Sequence, residues 1–293
     1  MSASRYDRTL GWMVGLAGVL LALLIFALLR RPAAQSWKPG DGPRVGVVKI
    51  EGVIVNSERI NRQLDQFSRR KDIEAILVRI DSPGGTVVAS QEIYRKLRSV
   101  REEGSKPVIA SLGTVAASGG YYVAMAADTI MANPGTATGS IGVILDYPVA
   151  VGLLGKLGLE FEVVKSGPLK DAGSPFRPAT AADRQSFQRV IDDLHTQFTE
   201  VVAAERHLNL ARVRELATGE VFTGRQALDL GLVDLLGGYE DALTLSATLL
   251  GSTKRPVPVR PPDRRRRSLW DLILGEDVTS VGSSWLLPQY LMR

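Results

Sequence analysis

One run of small residues, Gly113-Thr-Val-Ala-Ala-Ser-Gly-Gly-Tyr-Tyr-Val-Ala-Met-Ala-Ala-Asp128, limits the folds that are open to this chain. It follows an apolar stretch at 107–112 that is typical of a buried strand, and residues 116–127 then have the composition of a helix. A strand that passes directly into a helix is the repeating unit of helix-covered parallel sheets. Ser118 stands at the turn, followed by two glycines that allow another backbone to come close. Both a nucleophilic serine and a tight packing corner fit this turn.

The same alternation extends over the first two thirds of the chain. Short runs rich in Val and Ile predict further strands at 44–50, 75–80, 129–132, 141–145 and 161–165, and periodic apolar positions predict helices at 58–70 and 86–103. Repeated strand–helix–strand units predict a parallel sheet covered by helices. After a capping-box-like start at Thr180-Ala-Ala-Asp183, the pattern becomes helical, with helices predicted to about residue 206 and at 210–218, 223–230 and 239–250.

Composition and charge exclude several kinds of function. The 293 residues include no cysteine, so disulfides, thiolate metal sites and a cysteine nucleophile are ruled out. The net charge is +5, yet residues 45–252 hold 22 Lys and Arg against 25 Asp and Glu, so the basic excess lies in the two ends. A nucleic-acid-binding core would carry a basic face. We therefore expect no nucleic-acid partner, and we predict neither a metal nor a cofactor.

The two ends differ from the middle. Residues 11–29 carry no charge and would reach about 28 Å as a helix, close to the thickness of a bilayer's hydrocarbon core. The run exceeds a typical signal-peptide core, and Arg30-Arg31-Pro32 is a poor cleavage site, so we predict an uncleaved transmembrane helix. Basic residues on both sides leave its orientation open, although basic ends suit anionic lipid headgroups.

The predicted organisation has five parts. These are a short N-terminal segment (1–10), the transmembrane helix (11–29), a linker (30–44), the folded domain (45–252) and a basic, proline-rich tail with an apolar end (253–293). The apolar stretch at 269–293 suits a membrane surface, a neighbouring subunit or a loosely ordered tail equally well.

A second turn is expected to meet the serine. Asp81-Ser-Pro-Gly-Gly85 ends the second predicted strand and precedes a helix, so its glycines could present backbone N–H groups to an oxyanion or simply make a tight turn. The carboxyl ends of neighbouring parallel strands face one crevice, the usual ligand position in open α/β folds. We expect this turn and Ser118 to meet there.

A nucleophilic serine needs a base, and the chain offers few. Its two histidines, His195 and His207, lie in the late helical region, with no Asp-bearing loop nearby to complete a triad. The alternative is a lysine made neutral by its surroundings. The Gly- and Pro-rich loop at 164–178 offers Lys165 and Lys170, and the residues themselves do not decide between them.

Four pieces of sequence resemble the short form of signal peptide peptidase A, the membrane-anchored serine–lysine endopeptidases of bacteria. They are Asp81-Ser-Pro-Gly-Gly85, Ala117-Ser-Gly-Gly-Tyr-Tyr122, Thr138-Gly-Ser-Ile-Gly142 and Lys165-Ser-Gly-Pro-Leu-Lys-Asp-Ala-Gly-Ser-Pro-Phe176. They occur in the family's order, and the resemblance spans about residues 45–250.

The resemblance implies a role for each site residue. Ser118 would be the nucleophile and Lys170 the general base. Ser140 would hydrogen-bond and orient the lysine, and Gly85 would offer an oxyanion-hole N–H. From its place directly after the serine, we add Gly119 as a second oxyanion donor.

The resemblance also implies the fold and the setting. The fold would be a crotonase-like (Clp-protease-like) α/β domain of strand–helix units with a C-terminal helical region, preceded by one transmembrane helix. The family forms rings, commonly octamers, in which one subunit can supply the serine and its neighbour the lysine. The catalytic domain would lie outside the cytoplasmic membrane. Its substrates would be apolar peptides, such as remnant signal peptides left in the membrane.

Three alternatives stay open at this point. A crotonase-like acyl-CoA enzyme would use the same Gly-Gly oxyanion hole but would need neither an anchor nor a serine–lysine pair. A membrane scaffold of the same fold would have no activity. The stomatin-cleaving membrane serine protease shares the chemistry but places its lysine closer to the serine. The tail after residue 253 departs from the resemblance and inherits no function from it.

Overall fold

We describe the protein from a computed structural model, which covers residues 40–104 and 106–261 together with the backbone of 289–291. The strands are β1 (Arg44–Glu51), β2 (Ala75–Ser82), β3 (Gly84–Thr86), β4 (Val108–Ala117), β5 (Thr129–Ala132), β6 (Ala137–Gly139), β7 (Val221–Thr223), β8 (Leu235–Leu236), β9 (Val257–Val259) and β10 (Gln289–Leu291). The helices are α1 (Glu58–Arg69), α2 (Val87–Glu102), α3 (Gly119–Ala124), α4 (Val151–Leu157), α5 (Ala181–Arg206), α6 (Leu210–Leu216), α7 (Gly224–Asp229) and α8 (Tyr239–Leu249).

Most of the described strands form one sheet, in the order β7-β6-β4-β2-β1-β9, and β5 joins β4 to β8. All its pairs are parallel except β6–β7. Strands β1, β2 and the first half of β4 are almost fully buried, because helices cover the sheet on both faces. The predicted α/β class is therefore confirmed.

Strand β4 bends, and this bend places the serine turn. Its first half pairs with β5 and its second half with β6. Opposite β2 the register shifts between Ile80 and Ser82, so extra residues of β4 bulge there. A Cβ at Gly113 would lie 2.7 Å from the Asp81 carboxylate carbon, so only glycine fits the bulge. The Asp81 carboxylate accepts the Val115 N–H at 3.1 Å, which holds the second half of β4 in place.

Several predicted elements need correction. The strand predicted at 107–112 continues to Ala117, so helix α3 begins only at Gly119 and ends at Ala124, well short of residue 127. The predicted strand at 141–145 is wrong, since β6 takes the place beside β4, where the Thr138 hydroxyl donates to the Ala116 carbonyl at 2.7 Å. The predicted strand at 161–165 is also wrong, and its residues are exposed and irregular.

The helical predictions in the second half are confirmed. Helix α5 begins with the predicted capping box, in which Thr180 Oγ1 accepts the Asp183 N–H and the Asp183 carboxylate accepts the Thr180 N–H. The predicted transmembrane helix at 11–29, most of the predicted linker and most of the tail lie outside the described residues. Within residues 40–104 and 106–261, no helix is both long and apolar enough to cross a membrane.

One buried lysine closes the end of a helix. Lys106 is 8% exposed, and its ammonium donates to the carbonyls of Phe67, Ser68 and Arg70 at 2.5, 2.8 and 2.6 Å. These carbonyls lie at the end of α1, where no N–H of the helix is left to reach them. The lysine thus acts as a C-terminal cap that joins α1 to the start of β4.

Replacing Lys106 with methionine tests this cap. The variant keeps the length of the side chain but loses three charge-assisted hydrogen bonds, so we expect the free energy of unfolding in urea to fall by about 2 kcal/mol. Lys71→Met, at an exposed position beside the same helix end, serves as the control. An unchanged urea midpoint for Lys106→Met would show that the cap adds no stability.

Candidate active site

Ser118 sits in a strained turn between β4 and α3. Its φ of 52° and ψ of −116° lie outside the regions that a residue with a side chain prefers. The residue is 1% exposed, and its Oγ has no hydrogen-bond partner among the described residues. Strain of this kind at a strand-to-helix turn is how some hydrolases present a nucleophilic serine. A buried, unbonded hydroxyl costs free energy, which favours a functional role over a packing corner.

Ser140 lies beside it at the same edge of the sheet. Ala117 and Gly139 are paired in the β4–β6 ladder, so the serines that follow them are neighbours across two parallel strand ends. The Ser118 N–H donates to the Gly139 carbonyl at 2.8 Å, which ties the two turns together. Ser140 also has a positive φ, 48°, and is buried. Two adjacent serines in unfavourable backbone conformations indicate a functional site.

The glycine turn before α2 packs against the same place. A Cβ at Gly119 would lie 3.2 Å from the backbone nitrogen of Gly85, so the two turns are in close contact there. On its other side, a Cβ at Gly85 would lie 2.1 Å from the Ile54 carbonyl oxygen. The Ser82 hydroxyl accepts the Gly84 N–H at 3.1 Å and fixes the turn. The predicted meeting of this turn with Ser118 is confirmed.

Lys170 lies on a separate segment, the lysine arm, which we define as residues 149–180. Its side chain is exposed and has no hydrogen bond or ion pair within the part of the chain that the structure describes. In this single chain the structure therefore brings together Ser118, Ser140, Gly85 and Gly119 but does not bring Lys170 to the serine.

The lysine arm is unusually apolar on its outside. Helix α4 has no buried residue. The phenyl rings of Phe161 and Phe176 stack at 4.0 Å between centroids on the surface. The exposed apolar side chains of the arm are Val149, Leu153, Leu157, Leu159, Phe161, Val163, Val164, Leu169 and Phe176, with Val164 97% exposed. So many exposed apolar side chains on one segment suit an interface.

An ion-pair network that the sequence did not reveal holds the arm to the domain. The Arg177 guanidinium binds Asp171 through Nε and Nη2 at 2.9 and 2.8 Å, and it binds Asp183 through Nη1 and Nη2 at 2.5 and 3.1 Å. Asp183 belongs to the capping box of α5, so the network ties the residue next to Lys170 to the start of a long helix. The only sequence signal was the proximity of one arginine to two aspartates.

The same network separates the two candidate lysines. The Lys165 ammonium is paired with the Asp171 carboxylate at 2.6 Å and also donates to the Pro168 carbonyl at 3.3 Å. Lys165 is therefore engaged within the arm, whereas the Lys170 side chain has no partner among the described residues.

The pH range of the network follows from its charges. Hydrogen bonds from Arg177, joined at Asp171 by Lys165, hold the pKa of both carboxyls well below their usual range. A carboxyl whose pKa is lowered on folding stabilises the fold above its ordinary pKa of roughly 4 and loses this contribution only as pH falls towards the lowered value. The ion pairs that hold the arm are therefore fully formed at neutral and alkaline pH.

Replacing Arg177 with methionine is expected to release the arm. If Lys170 is the base that the resemblance implies, a displacement of about 1 Å can cost on the order of 100-fold in rate, so kcat for peptide cleavage should fall by that much while KM changes little. Arg184→Met, an exposed arginine on α5, is the matched control. Equal kcat for Arg177→Met and wild type would show that the network does not position Lys170.

Neither of the two histidines is placed to act as a base for Ser118. His195 Nε2 lies 2.9 Å from the Ala217 carbonyl oxygen, to which it must donate, so this nitrogen cannot serve as a base. His207 ends α5 in a left-handed conformation. Neither histidine is hydrogen-bonded to the Ser118 hydroxyl, which has no partner among the described residues.

A cavity of about 430 Å³ opens next to the glycine turn, between β3, the start of α2 and the segment before α1. Its apolar lining includes Val55, Val87, Val88 and Leu194. A cavity with a mainly apolar surface beside β3 is suited to hold an apolar side chain of a peptide.

Comparison with known proteins assigns the chain to a protein family. The sequence profile of peptidase family S49 matches residues 101–252, and that of Clp protease matches residues 52–138. Together these two matches cover both glycine turns, Ser140 and Lys170. The Clp protease match agrees with the observed mixed α/β fold.

Individual relatives point the same way. The chain is 46% identical over 217 residues to a candidate protease of Synechocystis sp., with 73% of this chain and 77% of that protein covered. It is 36% identical to a candidate signal peptide peptidase SppA of Enterococcus faecium, covering 79% and 63%. It is 34% identical to the chloroplastic serine protease SPPA of Arabidopsis thaliana, covering 95% of this chain but 40% of that protein. The chain belongs to peptidase family S49 and is a serine endopeptidase.

Proposed function

We propose that the protein is a membrane-anchored endopeptidase that cleaves apolar peptides with Ser118 as nucleophile and Lys170 as general base. The observation that carries this proposal is the strained, buried Ser118, whose hydroxyl has no partner in its own chain among the described residues. A hydroxyl so placed needs a base from elsewhere, and Lys170 is a lysine of the matching motif that no carboxylate holds among the described residues.

The chemistry follows from these groups. Neutral Lys170 takes the proton of Ser118 Oγ as the oxygen attacks a peptide carbonyl carbon, which gives a tetrahedral oxyanion. The N–H groups of Gly85 and Gly119 stabilise this oxyanion, each by about 3 kcal/mol. The lysine then gives its proton to the leaving amine, and water hydrolyses the acyl-enzyme by the same steps in reverse order. Ser140, beside Ser118, accepts a hydrogen bond from Lys170 and orients it.

Assembly would complete the site. The apolar outside of the lysine arm must be covered in water, and a second copy of the chain would cover it while bringing the arm to a neighbour's Ser118. This arrangement accounts for a serine and a lysine that stand apart in one chain. We propose a closed ring, with the octamer as the expected size.

Apolar substrates agree with the surface of the cavity and with the predicted transmembrane helix. The surface of the cavity beside β3 is mainly apolar, although Glu58 and Glu92 also line it. The uncharged run at 11–29 would hold the protein at the cytoplasmic membrane, with the folded domain on the outer side. Remnant signal peptides, which are apolar and remain in the membrane, are the substrate class that we propose.

Labelling with an alkyl fluorophosphonate tests the dyad. In detergent, wild type and Lys165→Ala should be labelled on Ser118, Lys170→Ala should be labelled far more slowly, and Ser118→Ala should not be labelled there. The site of the adduct is read by peptide mass spectrometry. A scaffold without activity would show no adduct on wild type, and labelling of Lys170→Ala at the wild-type rate would exclude Lys170 as the base.

A further inference from the structure

Strand β4 leaves its neighbours for a short stretch just before it reaches the serine. On one side it pairs with β5 as far as Leu112 and with β6 only from Val115. On the other side its register against β2 shifts, and the residues between Leu112 and Ala116 have no paired residue there. Gly113 and Thr114 therefore lie outside the ladders that join β4 to the described strands. Buried backbone groups outside a ladder need other partners.

A buried threonine supplies such a partner on the side of β5 and β6. Thr136 stands in the turn that joins these two strands and is 1% exposed. Its Oγ1 donates to the Gly113 carbonyl at 2.7 Å and accepts the Asn133 N–H at 3.1 Å. Because one hydroxyl makes both bonds, Thr136 joins the turn directly to the unpaired part of β4.

An aspartate holds the same stretch from the side of β2. The Asp81 carboxylate accepts the Val115 N–H, and it lies so close to Gly113 that a Cβ there would be 2.7 Å from the carboxylate carbon. In the strand order, β2 and β6 lie on opposite sides of β4. Two side chains thus hold one short segment from both sides, and we call Asp81 and Thr136 the bulge clamp.

The clamped stretch leads directly into the strained turn of the site. Ser118 follows β4 with a φ of 52° and a ψ of −116°. A backbone conformation of this kind persists only where the surrounding structure over-determines it. The Ser118 N–H donates to the Gly139 carbonyl at 2.8 Å, which fixes the turn to the end of β6. That bond leaves the direction in which β4 enters the turn unset, whereas the bulge clamp sets it.

We propose that Thr136 and Asp81 are positioning residues, which hold the bulge of β4 so that Ser118 keeps the conformation needed for attack. Neither side chain is hydrogen-bonded to the Ser118 hydroxyl, which has no partner among the described residues, so both act through the strand. The inference rests on the proposed function for the role of Ser118. Because Thr136 does not line the cavity beside β3, its loss should lower kcat and leave KM unchanged.

Replacing Thr136 with valine in the full chain is the main test, because valine keeps the shape of the side chain and removes its hydroxyl. We expect kcat for an apolar fluorogenic peptide to fall by at least about tenfold, since a small displacement of a reacting group is costly in rate. KM should be as in wild type. Thr136→Ser keeps the hydroxyl and should retain the wild-type kcat. A wild-type kcat in Thr136→Val would overturn the inference.

Thr199→Val is the matched control for a merely structural role. Thr199 is also buried, and its Oγ1 donates to the Thr196 carbonyl at 2.9 Å, but it lies on α5. Both valine variants lose a buried hydrogen bond, so both should unfold at a lower urea concentration than wild type. Only Thr136→Val should lose kcat. Equal losses of kcat in the two variants would overturn a positioning role.

Asp81 is tested through the oxygen that it offers. Asp81→Asn keeps a side-chain oxygen that can accept the Val115 N–H, so its kcat should stay close to that of wild type. Asp81→Ala removes the acceptor and should lower kcat as Thr136→Val does. An Asp81→Ala variant as active as wild type would overturn the assignment of Asp81 to the clamp.

Hydrogen exchange, read by mass spectrometry, separates this inference from the proposed function. Peptides that cover residues 113–118 contain the N–H groups of Val115 and Ser118, which the clamp holds in place. They should exchange faster in Thr136→Val than in wild type or Thr199→Val. Faster exchange there in a protein whose wild type cleaves no peptide would support the clamp and remove the dyad. Normal cleavage by wild type, with kcat and exchange unchanged in Thr136→Val, would overturn the inference and leave the protease intact.

Discussion

Replacing Lys170 with alanine is expected to lower kcat/KM for an apolar fluorogenic peptide by on the order of 10⁴-fold, as severe a loss as for Ser118→Ala. A general base contributes about 10²–10⁴-fold by itself, and residues that act as one unit lose nearly everything when either is removed. Folding should be unaffected, because Lys170 is exposed and its side chain has no partner among the described residues.

Lys165→Ala is the control for this prediction. Its ammonium is already paired with Asp171, so the variant should retain cleavage within about tenfold of wild type. A result in which Lys165 is essential and Lys170 dispensable would reverse the assignment.

Replacing Gly85 with alanine is the second large effect that we expect. The added methyl would lie 2.1 Å from the Ile54 carbonyl oxygen and 2.6 Å from the Ile54 nitrogen, both backbone atoms that cannot yield like the end of a side chain. Strand β3 must shift, so the Gly85 N–H should leave the proposed oxyanion hole. Loss of one such donor costs about 10²–10³-fold in kcat.

Gly135→Ala separates this effect from a general cost of changing glycine. A Cβ at Gly135 would meet nothing within 4 Å, and this glycine needs no positive φ. Its kcat should equal that of wild type. If Gly85→Ala also cleaves at the wild-type rate while folding normally, Gly85 does not belong to the oxyanion hole.

The sequence was sufficient to predict the serine turn and its neighbours, because their signals are local. Glycines that permit a close backbone approach, placed directly after a strand, indicate a tight strand-to-helix turn at both Ser118 and Gly85. The sequence also predicts β1 and β2, the strands that are buried on both faces, because continuous runs of Val and Ile are typical of a covered parallel sheet.

The incorrect or missing predictions concern residues whose role depends on contacts with distant parts of the chain or with another molecule. The run at 161–165 was predicted as a strand because its residues are apolar, yet Phe161 and Val164 are exposed. An apolar run looks the same whether its own chain or another molecule covers it. Arg177 and β10 were missed because one acts through ion pairs and the other through strand pairing with Gly85, and neither leaves a periodic pattern.

The central claim is that Ser118 and Lys170 form one site when copies of the chain assemble. Co-expression of Ser118→Ala with Lys170→Ala in equal amounts, each carrying a different tag so that mixed assemblies can be purified, tests it most directly. If neighbouring subunits share sites, one in about four sites receives both intact residues, and peptide cleavage should recover to about one quarter of wild type. Mixed assemblies as inactive as either variant alone would contradict sharing and require the lysine arm to close onto the serine of its own chain.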